Sequence, residues 1–212
     1  MNSYLPHYDR RGHNKSIMKL TGGAIDITEN IPLPILEEPK PNELPLMKEV
    51  ERLFEEIQKF PVKDPSKDNS RKNVLQKKNQ KIEAMVLGKV RSYSEKDLVI
   101  GRATKSGKFD ELEAVLKKLV HLHNPNFRYT SIQINKSVET SWHFDKGNVG
   151  LSYCIAFGKY VGGGVVVKVR DNKEMLAKNN KKWLFYDGHS LEHKSAPVKS
   201  GIRYAVIFFT KR

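Results

Sequence analysis

The sequence predicts an α+β domain with a mostly β core, a β-sandwich or barrel of short strands with helices packed on one side. Three observations predict it. The last stretch of about 85 residues reads as short apolar runs, parted by turns at Gly147, Gly158, Gly162, Gly163, Gly164, Gly188 and Gly201. Two amphipathic helical stretches precede that region. At 212 residues and 38% hydrophobic, the chain suits one core with extensions.

Residues 1–42 read as an extended strap or tail, with Gly22-Gly23 and prolines at 32, 34, 39 and 41. A single domain is expected over 43–212, with helical support at 43–123 and a β core at 127–212. Leu46, Val50, Leu53, Phe54 and Ile57 recur at helical spacing and predict a helix over 43–59, stopped by Pro61. The stretch 62–81 turns basic: Lys63, Lys67, Arg71, Lys72, Lys77, Lys78 and Lys81 face only Asp64 and Asp68, leaving +5. Phe109, Leu112, Val115, Leu116, Leu119 and Val120 form a second helical stripe. Asp110, Glu111 and Glu113 stand at its start, and Asn124-Pro125-Asn126 stops it. Then the period becomes two: Thr130, Ile132 and Ile134 alternate with Tyr129, Ser131, Gln133 and Asn135. Further strands are expected over 138–143, 149–157, 165–170, 182–186, 191–194 and 202–210.

The chain carries 38 Lys+Arg against 24 Asp+Glu, a formal net charge of +14. That surplus favours an acidic partner, nucleic acid before a membrane surface, with plain solubility as the bland reading. No window approaches the roughly 18–20 apolar residues of a membrane span. The first eleven residues lack an apolar run behind their charges, so no secretory leader is expected. Cys154 is the one cysteine, which rules out an internal disulfide framework and fits a reducing compartment. It alternates into a hydrophobic strand and is expected to be a small buried residue. His121 and His123, at a helix end, are expected to be structural.

The chemistry lies in the C-terminal half. In His143-Phe144-Asp145, residues i and i+2 of a strand share a face, so both can approach one ion, and a later strand can bring in His193. Two imidazoles and a carboxylate with three positions open suit non-haem Fe(II). Zinc accepts the same ligands, but usually in a closed tetrahedral site. His189 competes with His193 for the third position; the Asp187-Gly188 turn before it favours His193. Arg203 follows His193 by ten residues, beside the buried-strand sequence Tyr204-Ala205-Val206-Ile207-Phe208-Phe209. A cation placed there needs a partner, and a carboxylate can meet it bidentately.

With proline four and glycine eight residues after the second histidine, this H-x-D…H…R order resembles the Fe(II)/2-oxoglutarate-dependent dioxygenases. The resemblance covers about residues 82–212. It implies a double-stranded β-helix, the jelly-roll or cupin-like form of the predicted core. His143, Asp145 and His193 would be the catalytic iron ligands, and Arg203 would bind the distal carboxylate of 2-oxoglutarate. Asn135 and, more weakly, Ser152 would assist cosubstrate binding. Within the superfamily the chain looks most like the Tet/J-binding-protein branch, which oxidises the methyl of 5-methylcytosine or thymine in DNA. The similar stretches are Tyr129 to Asn135, His143 to Asn148, Phe157 to Gly164 and Trp183 to Gly188. Where some members place a base-contacting histidine after the last strand, this chain has Lys211. The glycine run also resembles the turn of prolyl hydroxylases, so a protein substrate stays open, as does an AlkB-type demethylase.

The resemblance implies Fe(II), 2-oxoglutarate and O2 as cofactor and cosubstrates, and double-stranded DNA with a flipped base as partner. His189, Asn148, Lys72, Lys77, Lys78, Lys181, Lys182 and Lys211 are the candidate substrate contacts, most of them in the lysine-rich stretches 63–81 and 173–182. A monomer without membrane contact is expected inside the cell, in the nucleus of a eukaryote or otherwise in the cytoplasm.

Overall fold

The computed structural model describes residues 32–64, 74–75, 81–91 and 97–212. Its strands are β1 (Ile35–Glu37), β2 (Val62–Lys63), β3 (Ile82–Arg91), β4 (Leu98–Ile100), β5 (Ser131–Lys136), β6 (Asn148–Phe157), β7 (Tyr160–Gly162), β8 (Val165–Lys168), β9 (Glu174–Ala177), β10 (Trp183–Tyr186), β11 (His193–Ser195), β12 (Val198–Gly201) and β13 (Tyr204–Lys211). The helices are α1 (Leu44–Glu56), a single turn α2 (Arg102–Lys105) and α3 (Asp110–His123).

A large antiparallel sheet runs β1-β10-β6-β13-β5-β3-β2, with β4 joined to β3. Facing it lie the smaller groups β11-β8-β9 and β12-β7. Alternation decides what each side of the large sheet buries. From β13, Tyr204, Val206 and Phe208 join Tyr153, Ile155 and Phe157 of β6 in the core shared with α1 and α3. The intervening Cys154 and Ile207 pack instead with Val165, Val167, Leu184 and Tyr186 between the sheets. The helices therefore cover one face, and the other face lines the interior.

The N-terminal strap is tied down by polar bonds. Glu43 is fully buried; it accepts hydrogen bonds from Trp183 Nε1 at 2.9 Å and His123 Nδ1 at 2.8 Å. Lys40 Nζ donates to the His123 carbonyl at 2.6 Å, capping the last turn of α3. His123 is thus structural, as its place in the sequence suggests.

Several elements differ from the sequence reading. The supposed helical support contains β2, β3 and β4. In β3 both faces are covered, with Ile82, Ala84, Met85 and Leu87 buried, so the apolar positions lose their period of two. Helix α1 ends at Glu56, where Ile57 turns to an extended ψ of 94°, ahead of Pro61. Residues 138–143 form no strand; only Thr140 and His143 make isolated bridges, to Leu75 and His193. Part of the expected tail, Ile35–Glu37, is an edge strand on β10.

Replacing Glu43 with alanine would strand the Trp183 and His123 N–H groups in the core. Each buried donor left without its acceptor costs about 1–3 kcal/mol. Urea unfolding should show the midpoint falling with the slope unchanged.

Candidate metal and cosubstrate site

His143 and His193 sit opposite each other in an antiparallel bridge and exchange both backbone hydrogen bonds, each 3.0 Å. Residues so paired project on the same side of a sheet. Their rings lie 4.3 Å apart between centroids. Asp145 is brought in by its backbone N–H, which donates to the Gly188 carbonyl at 2.7 Å. Its carboxylate stands 3.9 Å from His143 Nε2 and 3.6 Å from His193 Nε2. One ligand atom from each residue falls within 4.8 Å of the others.

Both imidazoles are oriented in the same way. His143 Nδ1 donates to the Ser141 carbonyl at 2.8 Å, and His193 Nδ1 to the Leu191 carbonyl at 2.9 Å. Each ring is thereby held with its Nε2 lone pair toward the centre, the tautomer a metal ligand requires. Asn148 Nδ2 donates to Asp145 Oδ2 at 3.2 Å, and Asn148 is itself buried. Gly188 is packed against the centre; a Cβ there would lie 3.1 Å from Asp145 Oδ2 and 3.2 Å from His193 Cε1. Two imidazole nitrogens and a carboxylate, three protein ligands rather than four, fit a divalent iron better than a closed zinc site.

Arg203 lies just before β13, which begins at Tyr204 rather than at 202 as the sequence suggests, and is 2% exposed. Its Nη2 donates to Asn179 Oδ1 at 3.0 Å, and its Cζ lies 5.9 Å from the Tyr160 ring centre. A Cβ at Gly163 would meet its Cδ at 2.9 Å, so the glycine run makes room for the arginine. No salt bridge among the described residues engages it. Among the same residues, two buried polar side-chain atoms have no hydrogen-bond partner, Arg203 Nε and Ser152 Oγ. They suit an anion with hydrogen-bonding oxygens.

The groups around that cation stay neutral. Burial pushes the Cys154 thiol up to about 11, against a smaller pull downward from Arg203. Burial likewise raises the Tyr186 and Tyr160 phenols, and Arg203 offsets this in part. Tyr186 feels both the Asp145 and Arg203 charges and stacks edge-on at 5.0 Å from the His193 ring.

Other sequence-predicted residues fare differently. Asn135 points to the interior face; its Oδ1 accepts from Gln133 Nε2 at 2.9 Å. His189 is an exposed turn residue whose N–H donates to Asp187, outside the triad. Asn148, expected to contact substrate, orients Asp145 instead. Lys181 pairs with Glu51 at 2.8 Å and Lys182 pairs with Glu38, so both are engaged by α1 and the strap rather than standing at the site. Lys72, Lys77 and Lys78 lie outside the described residues. The side chain of Lys211 lies against Gly147, two positions past Asp145. Sequence reasoning missed Asn179, Tyr160 and Tyr186. Tyr186 was within reach, since it alternates inward with Leu184; Asn179, in a polar lysine-asparagine loop, carries no such signal.

No family model matches the chain, and no curated protein matches it. Solved structures do share its fold. NgTET1 in complex with 5mC DNA gives a TM-score of 0.53 at 14% identity, over 84% of this chain and 72% of that one. A prolyl hydroxylase in complex with a hypoxia inducible factor peptide fragment, from Trichoplax adhaerens, gives 0.51 at 11% identity, over 84% and 83%. An oxidoreductase of the 2OG-Fe(II) oxygenase family from Burkholderia pseudomallei stands at 0.49, with 14% identity over 83% and 84%. The chain thus has the expected mostly β, jelly-roll fold. One of the two better superpositions was solved with DNA and the other with a peptide, so fold likeness does not single out the Tet-like branch.

His143→Ala and Asp145→Ala should each abolish tight binding of a divalent metal, read by calorimetry. Asn148→Ala should weaken it by about 10–100-fold, the usual effect of losing a group that orients a ligand. His189→Ala should leave metal affinity as it was; a loss there would exchange the roles of the two histidines.

Proposed function

We propose that the chain is an iron(II)- and 2-oxoglutarate-dependent dioxygenase that oxidises the methyl group of 5-methylcytosine or thymine in DNA. One observation carries the oxygenase reading: a His143–Asp145–His193 face lies close enough to a buried arginine, unpaired by any carboxylate of the described residues, for Tyr186 to feel the charges of both Asp145 and Arg203. The three ligands would hold the iron and leave positions free for 2-oxoglutarate and O2. Bound there, iron(II) supplies O2 activation, by which 2-oxoglutarate is split to succinate and CO2 while a substrate C–H becomes C–OH.

The chain's own residues do the positioning. Arg203 takes the distal carboxylate, with Nε as an available donor, and Asn179 holds the guanidinium plane from behind. Ser152 offers its hydroxyl on the same interior face. Neutral Cys154, Tyr160 and Tyr186 leave Arg203 for the ligand to neutralise, and they keep the pocket dry enough to strengthen that contact.

Support for a nucleic-acid substrate is electrostatic. The net charge is +14, and Lys146 and Lys211 flank the turn that follows Asp145. A paired base cannot reach an interior metal, so duplex DNA must present it flipped, at a cost of a few kcal/mol offset by backbone contacts. The resemblance to the Tet-like branch supplies the methyl group as target.

Incubation with methylated DNA, Fe(II) and 2-oxoglutarate, followed by nucleoside mass spectrometry, should yield hydroxymethyl products. Succinate released with peptide but not with DNA would move the substrate to the protein hydroxylases, and loss of an N-methyl group would favour an AlkB-type demethylase. Arg203→Ala should raise the 2-oxoglutarate concentration for half-maximal turnover at least about tenfold, as expected when a buried carboxylate has no cation to meet it. Asn179→Asp should raise it too, by giving Arg203 an internal carboxylate, with metal affinity unchanged.

A further inference from the structure

A groove of about 700 Å³ opens between α3 and the Gly88–Thr130 end of β3 and β5, on the helix side of the large sheet. Lys89, Lys117, Lys118 and Arg128 line it, all exposed. The carboxylate among its lining residues, Glu113, is buried; it accepts from the Thr104 hydroxyl at 2.9 Å and pairs with Lys117 at 2.7 Å. The rim therefore keeps three cations beyond that ion pair.

The floor is aromatic. Phe127 stacks on Tyr153 with centroids 3.7 Å apart and planes 9° from parallel, and Tyr129 continues the row at 5.8 Å. Burial, aided by the Glu113 charge, raises the Tyr129 phenol well above its ordinary range, so it remains a hydrogen-bond donor.

The groove also connects to the metal site. The backbone N–H of Lys211 donates to Thr130 Oγ1, in the groove wall, at 2.9 Å. The Lys211 side chain lies against Gly147, and the Arg212 N–H donates to the Gly147 carbonyl at 3.1 Å. Arg91 Nη1 donates to the Arg212 carbonyl at 3.3 Å. Lys211 and Arg212 thus tie the groove wall to the turn that follows Asp145, with Arg91 bonded to the Arg212 carbonyl.

We propose that this groove is a second nucleic-acid contact, holding an unpaired nucleotide of a single-stranded flank of the substrate, outside the oxidised base. The base lies on the Phe127–Tyr129 floor, and neighbouring phosphates meet Lys89, Lys118 and Arg128. Flat aromatic surface beside fixed cations is the combination that holds nucleic-acid strands with little sequence preference. An acidic peptide would use the cations but gain little from the stacked floor. The inference rests on the nucleic-acid reading of the metal site and extends it to a named surface.

The test compares wild-type protein with the double variant Lys118→Glu, Arg128→Glu, using a labelled methylated oligonucleotide long enough to pass the groove and one confined to the target and its nearest neighbours. Both residues are exposed, and unchanged 2-oxoglutarate binding checks the fold. The double variant should bind the long oligonucleotide at least about tenfold more weakly. The slope of log affinity against log salt should shrink by about two, one for each phosphate no longer engaged. Binding of the short oligonucleotide should change little. Phe127→Leu, which keeps the charge, should weaken the long oligonucleotide alone.

Long-oligonucleotide binding that ignores the charge reversals would overturn the groove and leave the nucleic-acid reading standing. Wild-type protein that binds neither oligonucleotide would overturn that reading itself. Reversals that abolish binding of polyglutamate, with oligonucleotide binding intact, would assign the groove to an acidic protein partner and overturn the proposal.

Discussion

The site depends on the pair of backbone hydrogen bonds exchanged by His143 and His193, each 3.0 Å. These residues are fifty positions apart, and neither is held in a long strand of the large sheet. One bridge makes them face each other with their rings on the same side. Everything that follows in the centre is hung from it. Asp145 reaches its place two residues on, secured by the Gly188 carbonyl, and Leu191 and Ser141 set the ring orientations from the two segments being joined. A carbonyl two residues earlier serves each histidine, so each segment carries its own orienting group and the bridge supplies only the register.

The second constraint is the alternation of β6 and β13. It sends phenylalanine, tyrosine and isoleucine toward α1 and α3, and sends Ser152, Cys154, Ala205 and Ile207 inward. Arg203 lies one residue ahead of β13 and continues the inward series. A cation there would be costly if it stayed unmatched. Asn179 and Tyr160 supply dipoles rather than charge, and the raised thiol and phenols supply none. The protein therefore keeps one uncompensated positive group opposite a metal face that carries one carboxylate. On the proposed reading, that asymmetry would orient 2-oxoglutarate, with its free carboxylate at Arg203 and its other end at the His143–Asp145–His193 face.

Much of this was legible in the residue order. The H-x-D spacing, the later histidine and Arg203 are local patterns, and the fold class followed from glycine-parted strands. What was illegible had specific causes. Strand β3 is covered on both faces, so it lost the alternation by which β5 was found. His143 was expected on a strand, but it takes only an isolated bridge, because the partner that aligns it comes from far along the chain. Asn148 looked like a substrate contact, since nothing in the sequence says that its amide bends back three residues to Asp145. Asn179 was invisible for the same reason: a buried asparagine beneath an arginine reads, in sequence, as one more polar loop residue.

The lysines show how far net charge carries as an argument. A total of +14 says nothing about where the field is directed, and the densest lysine runs drew the phosphate assignment to themselves. In the fold, Lys181 and Lys182 are neutralised by Glu51 and Glu38, and they act as clamps between the β9–β10 loop, α1 and the strap. The cations that the proposed contacts use are scattered in sequence, at Lys89, Lys118, Arg128, Lys146 and Lys211. Lys89, Lys118 and Arg128 meet where α3 packs over the ends of β3 and β5, and Lys211 of β13 lies against Gly147, beside Lys146. Field strength over a surface depends on this gathering and on the absence of paired carboxylates, not on runs in the chain. Pairing with β6 and the bond to Thr130 hold Lys211 between the metal turn and the aromatic groove. On the proposed reading, a strand tethered at both places would present its target to the metal face without either contact being strong alone.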